Sequence, residues 1–238
     1  VRVLVTGAGG FIGSHLIEAL VQNKDLEVIS MLKYSSNRSL GNLRFLTKVD
    51  RQKTTLIWGD ITDSTYVENI FTEFKPNLVI NLAALVGIPY SYMSPRSYQS
   101  VNFLGLQNIL ECTRAKKIPV IQMSTSEVYG NSPQLPIGVD HPIIPQSPYA
   151  ASKVSADALV KAYVSSYDSK VLIIRPFNTF GPRQSTRALI PSLIFQAIST
   201  SKIIHAGNLT TKRDFTYISD TVRALELAAQ GSLWDGSV

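Results

Sequence analysis

Two short stretches carry residue types that can do chemistry. In SPYAASK (147–153), Tyr149 and Lys153 stand four residues apart; in MSTSEVYG (123–130), an apolar run ends on Thr125, Ser126 and Glu127. On a helix, a spacing of four puts both side chains on one face. The ammonium of Lys153 would then favour tyrosinate at Tyr149 and draw its pKa down from about 10. A tyrosine tuned in this way takes a proton from a hydroxyl while hydride leaves the carbon that bears it. YxxxK recurs by chance, so its meaning depends on its surroundings.

Hydride needs an acceptor, and VTGAGGFIG (5–13) supplies a place for one. Gly7 allows a tight turn after an apolar strand, Gly10 lets the backbone approach a pyrophosphate, and Gly13 lets the following helix pack close to the strand. Phe11 and Ile12 open that helix, whose free N–H groups and positive dipole end face the phosphates. A dinucleotide site commonly has an acidic residue after the second strand for the ribose 2′-OH. ISMLKYSSNRS (29–39) has none; Lys33, Ser35, Ser36 and Arg38 stand there instead. These suit a 2′-phosphate, so NAD and NADP both stay open. Asp60, in WGDITD, either reaches the adenine edge or caps the next turn.

The elements that must position these residues alternate. RVLVTG (2–7), EVISML (27–32), TTLIWGD (54–60), NLVINLA (77–83), PVIQMST (119–125) and SKVLIIRPF (169–177) read as strands. Between them, 11–22, 63–74, a long stretch from Pro95 to about Lys117, and 147–167 have helical spacing, with Asp63 as an N-cap. Repeated βα units with continuously apolar strands predict a doubly wound parallel sheet, covered on both faces. The fold class is α/β of the Rossmann type. From Phe180 the rhythm changes: a loop over 181–191, a helix at SLIFQAIS, short strands at KIIHAG and DFTYI, and a helix at DTVRALELAAQ. Residues 1–179 are expected to form the dinucleotide domain and 180–238 a smaller, partly interleaved substrate lobe. That lobe reads as truncated, because the chain stops soon after a helix.

Composition narrows the classes. With 238 residues, 45% of them hydrophobic, the chain can bury one large core. No apolar run approaches the roughly 20 residues of a membrane span, and the N-terminus has no leader pattern. The lone Cys112 excludes an internal disulfide and cannot alone make a zinc site, so no metal is expected. A cytoplasmic location is the default. The net charge is +6, but Lys and Arg are scattered, without the stripe that marks nucleic-acid binding. The excess suits phosphate-bearing small ligands or plain solubility.

TGxxGxxG, NLAA (81–84), the Ser/Thr after the fifth strand, YxxxK and RPFNTFGPR (175–183) together resemble the extended short-chain dehydrogenase/reductase family over essentially the whole chain. The resemblance implies that Phe11, Ile12, Ile61, Leu82, Ala83 and Ala84 join the glycines and Asp60 around the cofactor. Lys153 would hold the nicotinamide ribose, and Thr125 would orient a substrate hydroxyl beside Tyr149. A nucleotide sugar would lie against the smaller lobe, with Asn178, Arg213 and, more weakly, Arg187 on its diphosphate. For Arg213 the alternative is an ion pair with Asp214 or Asp220. A homodimer through helices around 95–117 and 148–167 is also implied.

Glu127 separates the chemistries within that family. A 4-epimerase needs only oxidation and reduction at C4. A carboxylate at Glu127 can also remove the C5 proton once C4 is a ketone, and water then leaves from C6 with acid help from Glu127 or Ser126. Thr-Ser-Glu is similar to the triplet of GDP-mannose 4,6-dehydratases and UDP-glucuronate decarboxylases, and departs from the Thr-Asp-Glu of dTDP-glucose 4,6-dehydratases. A decarboxylase would want a cation near C6, and Arg96 is the only basic residue in LVGIPYSYMSPRSY (85–98). The motif set looks nearest to N-acetylglucosamine 4,6-dehydratases of the legionaminic-acid type. A dinucleotide-binding regulator is the non-enzyme alternative. Tyr90 and Tyr92 are expected in the sugar pocket or a surface loop. His15 reads as a helix-surface residue, His141 as a loop residue and Cys112 as a core residue. Asn102 is expected to bond backbone near the fifth strand or to be an ordinary buried amide.

Overall fold

The computed structural model describes residues 1–131, 134–199, 203–231 and 234–238. Its main sheet is all parallel: β1 (Arg2–Thr6), β2 (Glu27–Lys33), β3 (Thr54–Gly59), β4 (Leu78–Asn81), β5 (Val120–Met123) and β6 (Val171–Ile174), in the order β3-β2-β1-β4-β5-β6. Strand alternation divides the core. Val3, Val5, Ile121 and Met123 point to one face, where α1 (Phe11–Leu20) contributes Leu16, Ile17 and Leu20. Leu4, Val79 and Val120 point to the other. There they meet α3 (Ser64–Phe74), α6 (Gly105–Arg114) and α7 (Pro148–Tyr167), with α2 (Lys48–Gln52), α4 (Ile88–Met93) and α5 (Pro95–Gln99) between strands. Each such buried aliphatic side chain contributes about 1.5–3 kcal/mol. Strand order reverses between β1 and β4, which opens the crevice at their carboxyl ends where doubly wound sheets hold ligands.

The caps fall where the sequence places them. Asp63 accepts from the Tyr66 N–H at 2.9 Å, and Ser147 accepts from the Ala150 N–H at 3.1 Å, with Pro148 in the first turn of α7.

Four expectations need correction. The stretch from Pro95 is not one helix: a π-helical turn at Ser100–Leu104 separates α5 from α6, and α6 ends at Arg114. A short strand, β7 (Asn178–Phe180), follows β6 and pairs in parallel with β8 (Phe215–Tyr217), forming a second small sheet. In the strand expected at KIIHAG, Lys202 lies outside the described residues, 203–207 are not strand, and Ile203 and Ile204 are exposed. Helix α8 starts earlier than expected, at Leu189, and runs to Ile198. The last helix, α9 (Ile218–Gln230), packs Ile218, Val222 and Leu225 into the same core as α1.

Candidate active site

The β1–α1 junction is shaped for a dinucleotide. Gly7 has φ +67°, and a Cβ there would lie 2.8 Å from the Ala83 nitrogen. At Gly13 a Cβ would sit 2.4 Å from the Gly7 carbonyl oxygen, so only glycine lets α1 approach. Helix α1 has no side-chain cap, which leaves its first N–H groups for phosphate oxygens. A cleft of about 460 Å³ beside it is lined by Gly7, Gly10, Lys33, Ser35, Asp60, Ile61 and Leu82–Ala84. A cradle that any Cβ would fill, next to uncapped N–H groups, fits NAD or NADP.

Around the 2′ position the expected cations are differently placed. Lys33 Nζ lies 3.1 Å from Asp60 Oδ2. Burial raises the Asp60 pKa, but hydrogen bonds from Thr62 and Lys33 outweigh it, and the carboxyl is held below its usual range. Ser36 is exposed and outside the cleft, and Arg38 stacks over Trp58 at 5.8 Å from the ring centroid.

A second cleft, of about 430 Å³, continues from Gly10, Phe11, Ile12 and Gly13 past Leu82 and Ala84. It brings together Thr125, Ser126, Glu127, Tyr149, Lys153 and Asn178. Thr125, two residues past β5, caps the short turn Ser126–Tyr129 through the Glu127 N–H at 3.2 Å, which aims the triplet into the cleft. Tyr149 enters from the first turn of α7 and makes a hydrogen bond with Thr125. Lys153 follows one turn later.

The expected lowering of the Tyr149 pKa is not what this arrangement gives. Burial pushes the phenol up to about 12; the Thr125 hydrogen bond opposes this, and the charge of Glu127 adds to it. Lys153 instead donates to the Met123 carbonyl at 2.8 Å. Burial pushes its pKa down to about 8, against the charge of Asp157.

The remaining expected residues separate. Ser126, Glu127, Asn178 and Arg213 line a third cleft with Lys212 and Gln146. Asn178 Nδ2 donates to the Asp214 carbonyl at 3.1 Å. Arg213 is exposed and forms no ion pair with Asp214 or Asp220. Arg187 lines neither this cleft nor the Tyr149 cleft; its Nε lies 3.3 Å from Ser185 Oγ. Arg96, Tyr90 and Tyr92 are exposed outside the Tyr149 cleft. Asn102 bonds the backbone of Leu85, in the segment that follows β4, the neighbour of β5, and donates to Ser152 Oγ at 2.9 Å. Cys112 is half-buried, with its thiol pushed up to about 11 by burial. His15 lies 2.9 Å from the Pro182 carbonyl, and His141 packs edge-on against Tyr129.

Two buried polar groups behind the site have partners that the sequence does not display. Asn81 accepts from Thr6 Oγ1 and donates to Gln122 Oε1 at 2.7 Å. Gln122 Nε2 in turn donates to the same Met123 carbonyl that holds Lys153. The other group is Asp157, which accepts from Ser124 and Arg175. The available signal was a polar residue inside each apolar strand, and an acid one turn beyond Lys153.

Among the described residues no helix is long and apolar enough to cross a membrane, and no cluster of three or more His, Cys, Asp or Glu could hold a metal ion.

Residues 4–237 match the family described as GDP-mannose 4,6 dehydratase. The low-salt glycan biosynthesis protein Agl12 of Haloferax volcanii is 32% identical over 228 residues, covering 94% of this chain and 72% of that protein. Human dTDP-D-glucose 4,6-dehydratase is 34% identical over 226 residues; the chain spans 64% of its length. The solved structure of DesIV, a dTDP-glucose 4,6-dehydratase from Streptomyces venezuelae with NAD bound, superposes with a TM-score of 0.88 at 29% identity, covering 100% of this chain and 74% of that one. Epimerases of nucleotide sugars also stand among its structural neighbours. By its glycine cradle, its Tyr149–Lys153 helix and these matches, the chain belongs to the nucleotide-sugar dehydratase family of extended short-chain dehydrogenase/reductases.

Proposed function

We propose that this chain carries the active site of a nucleotide-sugar 4,6-dehydratase that uses NAD or NADP. The observation that carries the reading is Glu127 in one cleft with Thr125 and Tyr149. Epimerisation at C4 has no use for a carboxylate there.

Tyr149 takes the proton of the C4 hydroxyl, while Thr125 bonds the same oxygen and orients it. A bound NAD(P) supplies the hydride acceptor for C4 and the hydride donor for C6. With C4 a ketone, Glu127 removes the acidified C5 proton. Glu127 or Ser126 gives a proton to the departing C6 hydroxyl, which leaves as water. Glu127 then regains a proton through solvent and delivers it to C5, while Tyr149 releases to solvent the proton it took from the C4 hydroxyl, so the two protons removed equal the two supplied and C4 stays a ketone. The net change is loss of one water. Asn178 and Arg213, on the third cleft, are assigned to the substrate diphosphate; a guanidinium suits that geometry. Residues 180–238 are assigned to the substrate side, and 1–179 to the dinucleotide. The exposed Leu104 and Tyr167, on the helices expected to pair, support a homodimer, which light scattering tests.

The test is mass analysis of products from UDP-, GDP- and dTDP-sugars, including N-acetylglucosamine and glucuronate forms. Loss of 18 mass units, about one water, is the expected result. Loss of carbon dioxide would favour a decarboxylase, although Arg96 lies outside the cleft. An isomer of unchanged mass would favour an epimerase, the activity named for several structural neighbours.

A further inference from the structure

We propose that Arg175 is a positioning residue for Glu127. Arg175 follows β6, has an almost fully buried side chain, and is not among the residues lining the Tyr149 cleft. Its Nε and Nη2 both reach Asp157 Oδ2 at 2.9 Å, and its Nη1 donates to the Tyr129 hydroxyl at 3.0 Å. Asp157 sits on α7, one turn beyond Lys153. Tyr129 closes the short turn that carries Glu127. One planar guanidinium therefore ties the helix bearing Tyr149 and Lys153 to the turn bearing Glu127. Ser124 Oγ donates to the same Asp157 oxygen at 3.0 Å, which anchors the residue just before Thr125.

A buried ion pair is a weak device for stability, since its desolvation cost rivals its attraction. A rigid fork with fixed donor directions is a good device for geometry. Geometry is what elimination demands here: Glu127 must reach C5 while Tyr149 and Thr125 hold the neighbouring C4 oxygen. A displacement of about 1 Å from such an arrangement costs on the order of a hundredfold in rate. Tyr149 and Lys153 are fixed by α7 itself, so loosening the Tyr129 end of the link moves Glu127 and leaves the C4 step in place. This inference rests on the dehydratase reading.

Tyr129→Phe tests it. The variant keeps the ring against His141 and under the guanidinium, at 6.0 and 5.1 Å between centres, and removes only the hydroxyl that accepts from Arg175. The intact protein, loaded with NAD or NADP, is mixed rapidly with dTDP-glucose, UDP-N-acetylglucosamine or GDP-mannose in heavy water. Cofactor reduction is followed by its absorbance; water loss and deuterium at C5 are followed by mass. In Tyr129→Phe, cofactor reduction should stay within about twofold of wild type, while C5 exchange and water loss slow by about tenfold or more, so reduced cofactor accumulates. Thermal unfolding should stay close to wild type. Equal slowing of both steps, or no slowing of either, would overturn the proposal. If wild type itself returns an isomer of unchanged mass, the dehydratase reading falls and takes the Glu127 role with it. Wild-type water loss with an unsplit variant sinks the Arg175 role alone.

Discussion

The ammonium of Lys153 is bonded to the main-chain carbonyl of Met123, 2.8 Å away, with both residues buried between α7 and the end of β5. The folded pKa of about 8 lies below the ordinary 10.5, with burial as the main cause. Below pH 8 the folded protein therefore carries the full cost of a buried cation. Between pH 8 and 10.5 the unfolded chain holds more protons, so the Lys153 contribution makes stability rise with pH. Tyr149 acts oppositely at higher pH. Its folded pKa of about 12 exceeds 10, so the unfolded phenol ionises first and stability falls from pH 10 to 12.

Lys153→Met should consequently unfold at higher denaturant concentration than wild type at pH 7, by on the order of 3 kcal/mol. The Met123 carbonyl keeps the Gln122 amide as a donor, so no acceptor is orphaned. The gain should shrink above pH 8 and vanish near 10.5. Urea titrations at pH 7 and pH 10 measure it; a variant less stable than wild type at pH 7 would contradict the burial argument. Turnover in this variant should be lost.

Tyr149→Phe should lower turnover by about a thousandfold, within the range of a lost general acid–base group. The ring stays packed edge-on against Tyr98 at 6.2 Å, so the fold should persist. Calorimetry should show dinucleotide affinity close to wild type. Near-native turnover would remove Tyr149 from the proton-transfer role.

Much of this site was legible because its signals are local. The glycine spacing at 7, 10 and 13 encodes a turn and a close helix approach, and both follow from the missing Cβ atoms. Tyr149 and Lys153 are one turn apart on any helix. What was hidden depends on partners far along the chain. Thr6 and Asn81 are 75 residues apart, and Asn81 and Gln122 are 41, so nothing in local spacing pairs them. The phenol of Tyr149 was misjudged for a related reason: the sequence displays a nearby lysine, but burial, which sets the direction of the shift, is a property of the folded site. Strand β7 is three residues long, too short for a period to register, and Ile203-Ile204 imitate a strand where the chain forms none.

The Lys33–Asp60 pair predicts a preference for NAD. A 2′-phosphate at the end of β2 would meet a carboxylate held ionised, and the lysine that suits it is already paired at 3.1 Å. Titration calorimetry should give NAD about a tenfold lower Kd than NADP, a difference of about 1.4 kcal/mol. Asp60→Asn frees Lys33 and removes the repulsion, so the preference should narrow or reverse. Tighter binding of NADP by wild type would assign Lys33 to the phosphate after all.

Glu127→Gln isolates the step that makes this a dehydratase. The substitution keeps the side chain's shape and the backbone N–H bonded to Thr125, so the turn should hold. It removes the base for C5 and also a negative charge that raises the Tyr149 pKa. Two effects should then separate. Oxidation at C4 should survive and extend to lower pH, because the phenol gives up its proton more easily. Water loss should fall by about a hundredfold or more, the scale of a missing general base. With oxidation intact and elimination blocked, reduced cofactor should accumulate on the enzyme after rapid mixing, and quenched samples should contain a 4-keto sugar that keeps its C6 hydroxyl. Dehydration at the wild-type rate would show that another group takes the C5 proton, and Ser126, in the same cleft, would be the next residue to replace.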